Sequence, residues 1–144
     1  MLKKYKNRIR PIAISIIRKD DTILVYKRQD DITKETFYRL VGGCIEFGEK
    51  SEIALKREFQ EELCLNLSNI KFISTFESIF EFNNQKMHEI VYLFESEFED
   101  KAIYNKEIID GLEGERSFEA IWIQVSNLIS KKDVIFPEEI LNYL

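Results

Sequence analysis

Gly43-Cys44-Ile45-Glu46-Phe47-Gly48-Glu49-Lys50-Ser51-Glu52-Ile53-Ala54-Leu55-Lys56-Arg57-Glu58-Phe59-Gln60-Glu61-Glu62-Leu63-Cys64-Leu65 is the stretch on which the reading of this chain turns. Leu55, Phe59 and Leu63 recur four residues apart, which builds one apolar stripe on a helix over residues 50–65. Ser51 is the expected N-cap. Glu58, Glu61 and Glu62 stand at i, i+3 and i+4, so about 100° of rotation per residue gathers them within an arc of roughly 100° on one face. That arc borders the apolar stripe and therefore belongs at the rim of the buried side. Like charges about 6 Å apart repel by roughly 3 kcal/mol per pair at an effective dielectric of 20. A counter-charge is needed, and a hard divalent cation such as Mg²⁺, which takes carboxylate, water and phosphate oxygens, supplies one. Such an ion neutralises an anionic substrate and lowers the pKa of a bound water.

Outward from the helix, residues 37–41 read as a short strand ending on Gly42-Gly43, a turn of special geometry. Before it, residues 10–18 and 22–28 flank Lys19-Asp20-Asp21 as a β-hairpin. After the helix, strands over 70–80 and 86–98 are joined through Asn83-Asn84, a pair that tolerates the left-handed turn of a second hairpin. Residues 100–117 are polar, carry Gly111 and Gly114, and read as a long loop. A last strand over 118–125 follows, then a short turn capped by Ser126, and a final helix with Pro137 at its first position. Pattern alone gives α+β or α/β.

The chain has 144 residues, enough for one domain over 1–144 with an ordinary core. A formal charge of −5 argues against a partner such as long nucleic acid, whose phosphates call for a basic stripe. Cys44 and Cys64 form no metal-binding spacing, and free thiols fit a reducing cytoplasm. No apolar run is long enough for a signal core or a bilayer span, so a cytoplasmic protein without a membrane partner is expected. Lys3, Lys4 and Lys6 read as a solvated end.

An acidic run such as REFQEEL occurs on many solvated helix faces, so the wider spacing decides its meaning. A chance match to the whole spaced pattern, one mismatch allowed, is on the order of 10⁻⁴ or less. Residues 43–65 resemble the Nudix box: Gly, five residues, Glu, seven residues, Arg-Glu, a hydrophobe, any residue, Glu-Glu, any residue, Gly, a hydrophobe. Gly43, Glu49, Arg57, Glu58, Phe59, Glu61, Glu62 and Leu65 match, while Cys64 replaces the last glycine. The flanking strands, the hairpin after the box and the late strand with Trp122 extend the similarity over most of the chain.

The resemblance implies an α/β/α sandwich with a mixed β-sheet and hydrolysis of a phosphoanhydride in a nucleoside diphosphate linked to another moiety. It implies Mg²⁺, with Mn²⁺ as an alternative, held by Glu58, Glu61, Glu62 and the Gly43 carbonyl. Arg57 would hold a catalytic carboxylate in place and Glu49 would support the metal or its waters. Glu58 or Glu61 would accept the proton of the attacking water. A further acid from outside the box is expected among Glu107, Glu113, Glu115 and Glu119. Homodimers are frequent in such a family. The alternative is a nucleotide-binding or regulatory module that keeps the fold without catalysis, and a third reading is a structural protein with a chance acidic helix.

The missing glycine would have ended the helix in a left-handed conformation that Cys64 adopts only at a cost, so the helix runs on or caps differently and local stability suffers more than chemistry. Arg39 is a candidate for a bidentate grip on a substrate phosphate, weighed against a surface salt bridge. His88 is read as structural ahead of a role as acid or substrate contact. Trp122, Tyr38, Phe80 and Phe82 are candidates for stacking on a nucleobase, though core packing is the commoner use of aromatics in strands.

Overall fold

The computed structural model describes residues 7–144; the lysines at 3, 4 and 6 lie outside them. The expected first hairpin is β1 (Ile9–Lys19) and β2 (Thr22–Gln29), turning through Asp20 at φ 52° with Thr22 Oγ1 donating to Lys19 O at 2.6 Å. Then come β3 (Thr36–Arg39), β4 (Gly42–Cys44) and α1 (Ser51–Leu63). The second hairpin, β5 (Leu67–Phe82) and β6 (Gln85–Phe98), turns on Asn83 and Asn84, both left-handed. A 3-10 turn at Lys101–Asn105 leads to β7 (Ile108–Glu113) and β8 (Arg116–Gln124), then α2 (Val125–Ile129) and a 3-10 helix, Glu138–Tyr143.

Among the described residues one mixed sheet runs in the order β5-β6-β1-β2-β8-β7, with β3 on β2 and β4 on β1. β1 and β6 run parallel; the other pairs are antiparallel. Alternate residues of β1 feed two cores: Ala13 and Ile17 pack with Leu55, Phe59 and Leu63 under α1, while Ile12, Ile14 and Ile16 pack with Leu128, Ile135 and Ile140 on the opposite face. Burial on both faces is why β1 reads as a near-continuous apolar run. Helical elements on both sides of a mixed sheet give the expected α/β sandwich. No helix among the described residues is long and apolar enough to cross a membrane.

β1 and β2 pair only at Arg18↔Ile23 and Lys19↔Thr22. Beyond that point β4 takes the edge of β1 and β3 takes that of β2, so the sheet opens between the two long strands. The site described below occupies that opening, beneath α1.

Five local expectations need correction. Gly42 and Gly43 do not form a turn but are strand residues paired with Ile14 and Ala13. Residues 100–117 are not a loop: β7 pairs with β8 along its whole length. Gly111 belongs in that strand because the Phe118 ring covers it, leaving no room for a Cβ. Ser51 is the first helical residue and makes no side-chain cap; Lys50 stands at the N-cap, and Ser126 likewise follows the cap of α2. Pro137 precedes a 3-10 helix instead of opening an α-helix.

Asp30 fastens the loop after β2 to the β5–β6 turn. Its buried carboxylate accepts from the backbone N–H groups of Ile32 (2.8 Å), Thr33 (3.0 Å) and Asn83 (2.9 Å). These bonds, led by Thr33, hold the carboxyl below its ordinary range. A depressed pKa contributes stability that is full above the unfolded value and lost as pH falls through the folded one. Melting curves from about pH 2 to 6 should therefore show a flatter acid limb for Asp30→Asn than for wild type below about pH 4; parallel limbs would remove Asp30 from this role.

Candidate active site

The sequence of α1 places its acids in graded environments. Leu55 and Phe59 are fully buried, which turns Glu62 inward, at 8% exposure, and leaves the Glu61 side chain 60% exposed. Glu58 lies between them, against β4, with its side chain 14% exposed. A Cβ on Gly43 would collide with the Glu58 carboxylate, so the glycine lets that carboxylate rest on the β4 backbone.

Arg57 ties the group together. Its Nε and Nη2 donate to the two oxygens of Glu49 at 2.7 and 2.9 Å, Nη2 also reaches the Cys44 carbonyl at 2.9 Å, and Nη1 donates to Glu58 at 3.0 Å and Glu61 at 3.2 Å. Glu49 also accepts from the Glu46 N–H at 3.1 Å. Hydrogen bonds from Arg57 keep Glu49 below the usual carboxylate range. Burial raises Glu58 despite Arg57 beside it. Burial, with Glu58, Glu113 and Glu61 nearby, pushes Glu62 up to about 9. Arg57 thus favours the ionised form of Glu49, just before α1, whereas Glu58 and Glu62 on α1 are both shifted toward the neutral form.

Glu58 and Glu62 line a cavity of about 200 Å³ together with Gly43, Arg39 and Glu113. Of the four acids expected outside the box, Glu113, at the end of β7, is the one placed here; Glu119 lines the neighbouring groove, and Glu107 and Glu115 line neither. Phe80 and Phe82 also line the cavity. Trp122 instead stacks on Tyr104 and donates Nε1–H to Lys106 O at 2.9 Å, and Tyr38 packs into the core beneath Ile135. His88 sits in β6 between Ile9 and Ile79, outside the cavity lining.

Arg39, the expected phosphate contact, lines the cavity and is paired with a carboxylate there. Its fork is closed on the fully buried Glu89, at 3.1 and 3.0 Å, and Arg10 stands 3.6 Å from the same carboxylate. The pair is not a surface salt bridge: it is buried in the cavity wall, with Nη1 and Nη2 of Arg39 each donating to Glu89.

Among the described residues, no three His, Cys, Asp or Glu side chains stand together ready to hold a metal ion. Glu58 and Glu61 are both hydrogen-bonded to Arg57. The donor set still fits a hard divalent cation: the oxygens are carboxylates, burial and neighbouring acids disfavour the Glu62 charge more than Arg116 favours it, and the Gly43 cradle keeps Glu58 on the β4 backbone.

The family described as NUDIX domain matches residues 7–144. The chain belongs to the Nudix family. A curated relative, the NAD-capped RNA hydrolase NudC of Photobacterium profundum, is 34% identical over 68 residues, 47% of this chain. The match spans about a quarter (25%) of that relative's length. Among solved structures, a MutT from work on Aliivibrio salmonicida and Vibrio cholerae has a TM-score of 0.60 at 19% identity, covering 94% of this chain and 96% of that one. The MutT Nudix hydrolase of Burkholderia pseudomallei has a TM-score of 0.56 at 22% identity, covering 85% and 88%. These two show the shared fold.

Where the Nudix box has its last glycine, Cys64 takes the C-cap of α1 at φ 57° and ψ 34°, its N–H donating to Gln60 O. The expectation that the helix would run on or cap differently is thus corrected: the left-handed cap is kept, by a residue with a side chain that disfavours it. Cys64→Gly should raise stability by about 1 kcal/mol, read as a melting temperature roughly 2–4 °C higher. An unchanged or lower value would mean the cap carries no strain.

Proposed function

We propose that the chain hydrolyses a phosphoanhydride bond in a nucleoside diphosphate joined to another group, such as a nucleoside triphosphate or nucleotide sugar, with Mg²⁺, or Mn²⁺ in its place. The observation that carries this is Arg57 clasping Glu49, Glu58 and Glu61 beside the cavity that Glu58 and Glu62 line. Glu58, Glu61 and Glu62, with the Gly43 carbonyl, would hold the ion. When bound, the ion neutralises the anionic substrate and makes water a stronger nucleophile. Arg57 is a positioning residue: it fixes the carboxylates it touches, and Glu49 anchors it from the far side. Glu58 or Glu61 takes the proton from the attacking water. Exposed Glu61 is free to exchange that proton with solvent, and Glu58, shielded from solvent, has its pKa raised by burial. Glu113, at the end of β7 and near Glu58 and Glu62, would serve as the further acid. The products are two phosphate-bearing fragments, or a monophosphate and pyrophosphate from a triphosphate.

The family acts on small nucleotide derivatives, and the net charge of −5 supports a small-molecule partner over long nucleic acid. The NAD-capped RNA named for the NudC relative belongs to that protein. The reading is tested by phosphate or pyrophosphate release from a nucleotide panel with Mg²⁺, comparing wild type with Glu61→Gln. Turnover by wild type and a clear fall in the variant are expected. Nucleotide binding without metal and without turnover in either protein would favour the binding module instead.

A further inference from the structure

Three arginines line the cavity: Arg10, Arg28 and Arg39. Arg10 and Arg39 face Glu89, and their charge is answered there. Arg28, on β2, has no carboxylate hydrogen-bonded or ion-paired to it among the described residues. Its guanidinium lies over the buried Phe82 ring, 4.9 Å from the centroid. Arg116, the next cation along the groove, is already held by Glu113 at 2.9 Å.

We propose that Arg28 binds the substrate phosphoryl group that is not held on the carboxylate side of the cavity. The proposal rests on the hydrolase reading above and deepens it. An anhydride substrate brings two or more phosphoryl groups, and the acids of α1 serve one of them through a cation. The second needs a direct positive contact. Arg28 lies where the cavity meets the open groove, since Arg28 and Phe82 line both. The ring supports one face of the guanidinium and leaves its N–H edge free for two parallel bonds to phosphoryl oxygens. Burial, ahead of the neighbouring charges, pulls the Arg28 pKa below its ordinary value, so an anion arriving there meets a poorly solvated cation.

The test uses methylenediphosphonate, a P–C–P diphosphate that anhydride hydrolysis cannot cleave, titrated by calorimetry with Mg²⁺ present. Arg28→Gln should bind it about tenfold or more weakly than wild type, Arg28→Lys should fall between, and Lys71→Gln, exposed on β5, should match wild type. With the best nucleotide of the panel, Arg28→Gln should raise KM by a similar factor and leave kcat within about threefold. Equal binding by wild type and Arg28→Gln, or an equal loss in Lys71→Gln, would overturn the proposal. Diphosphonate binding that depends on Arg28, in a protein that turns over no nucleotide, would support the phosphoryl contact and sink the hydrolase reading, so the two failures are distinct.

Discussion

Glu58→Gln is expected to lower turnover roughly 10³-fold and to leave the metal-free protein at least as heat-stable as wild type. The two halves share one cause. Glu58 is shielded between α1 and β4, near Glu61, Glu62 and Glu113, and its raised pKa says that its surroundings on balance disfavour the charge despite Arg57. A neutral isostere removes that unfavourable charge and keeps the shape that Gly43 accommodates. It would also remove a proposed ion ligand and candidate base. Function and stability thus oppose each other at this residue, as expected where like charges are concentrated for a cation. Steady-state rates with Mg²⁺ and melting curves in chelator check both halves. Near-wild-type turnover would exclude Glu58 from the chemistry, and a marked drop in melting temperature would show that its ion pair with Arg57 outweighs the repulsion.

The second large effect concerns stability. Glu89 is fully buried and answers Arg39 directly and Arg10 at longer range. Glu89→Ala leaves both guanidiniums in the cavity wall without their counter-charge, at a cost of about 3–5 kcal/mol, or on the order of 10 °C in melting temperature for a chain of this size. Adding Arg39→Met to that variant should recover part of the loss, because removing both members of a buried pair is far less harmful than removing one. Additive losses in the double variant would mean that the pair contributes no coupling.

The apolar stripe of α1 was legible because its period matches one buried face, and Leu55, Phe59 and Leu63 are all in the core. The Asn83-Asn84 hairpin was legible because few residue pairs tolerate two left-handed positions in a row. β7 was hidden: Asp110-Gly111 carries loop chemistry, and the reason for the glycine is a ring on the neighbouring strand that only the fold brings near. Missing β7 also left Glu113 indistinguishable from Glu107, Glu115 and Glu119, since its strand end is what carries it to α1. Spacing brought Glu58, Glu61 and Glu62 to one helix, but not the differences in burial that separate them. Arg39 and Arg28 show the same limit. Each is an arginine near a strand end, and which one is committed to a buried carboxylate depends on Glu89, far away in the sequence.

In the proposed reaction water attacks a phosphoanhydride with the help of a divalent ion held by α1. Its most direct test is turnover of the best nucleotide substrate in ¹⁸O-labelled water, with Mg²⁺ and with excess chelator, followed by mass analysis of the products. One phosphate-bearing fragment should gain a single labelled oxygen in Mg²⁺, and neither should form at an appreciable rate in chelator. Equal turnover with and without the metal, or products that carry no label, would contradict the account.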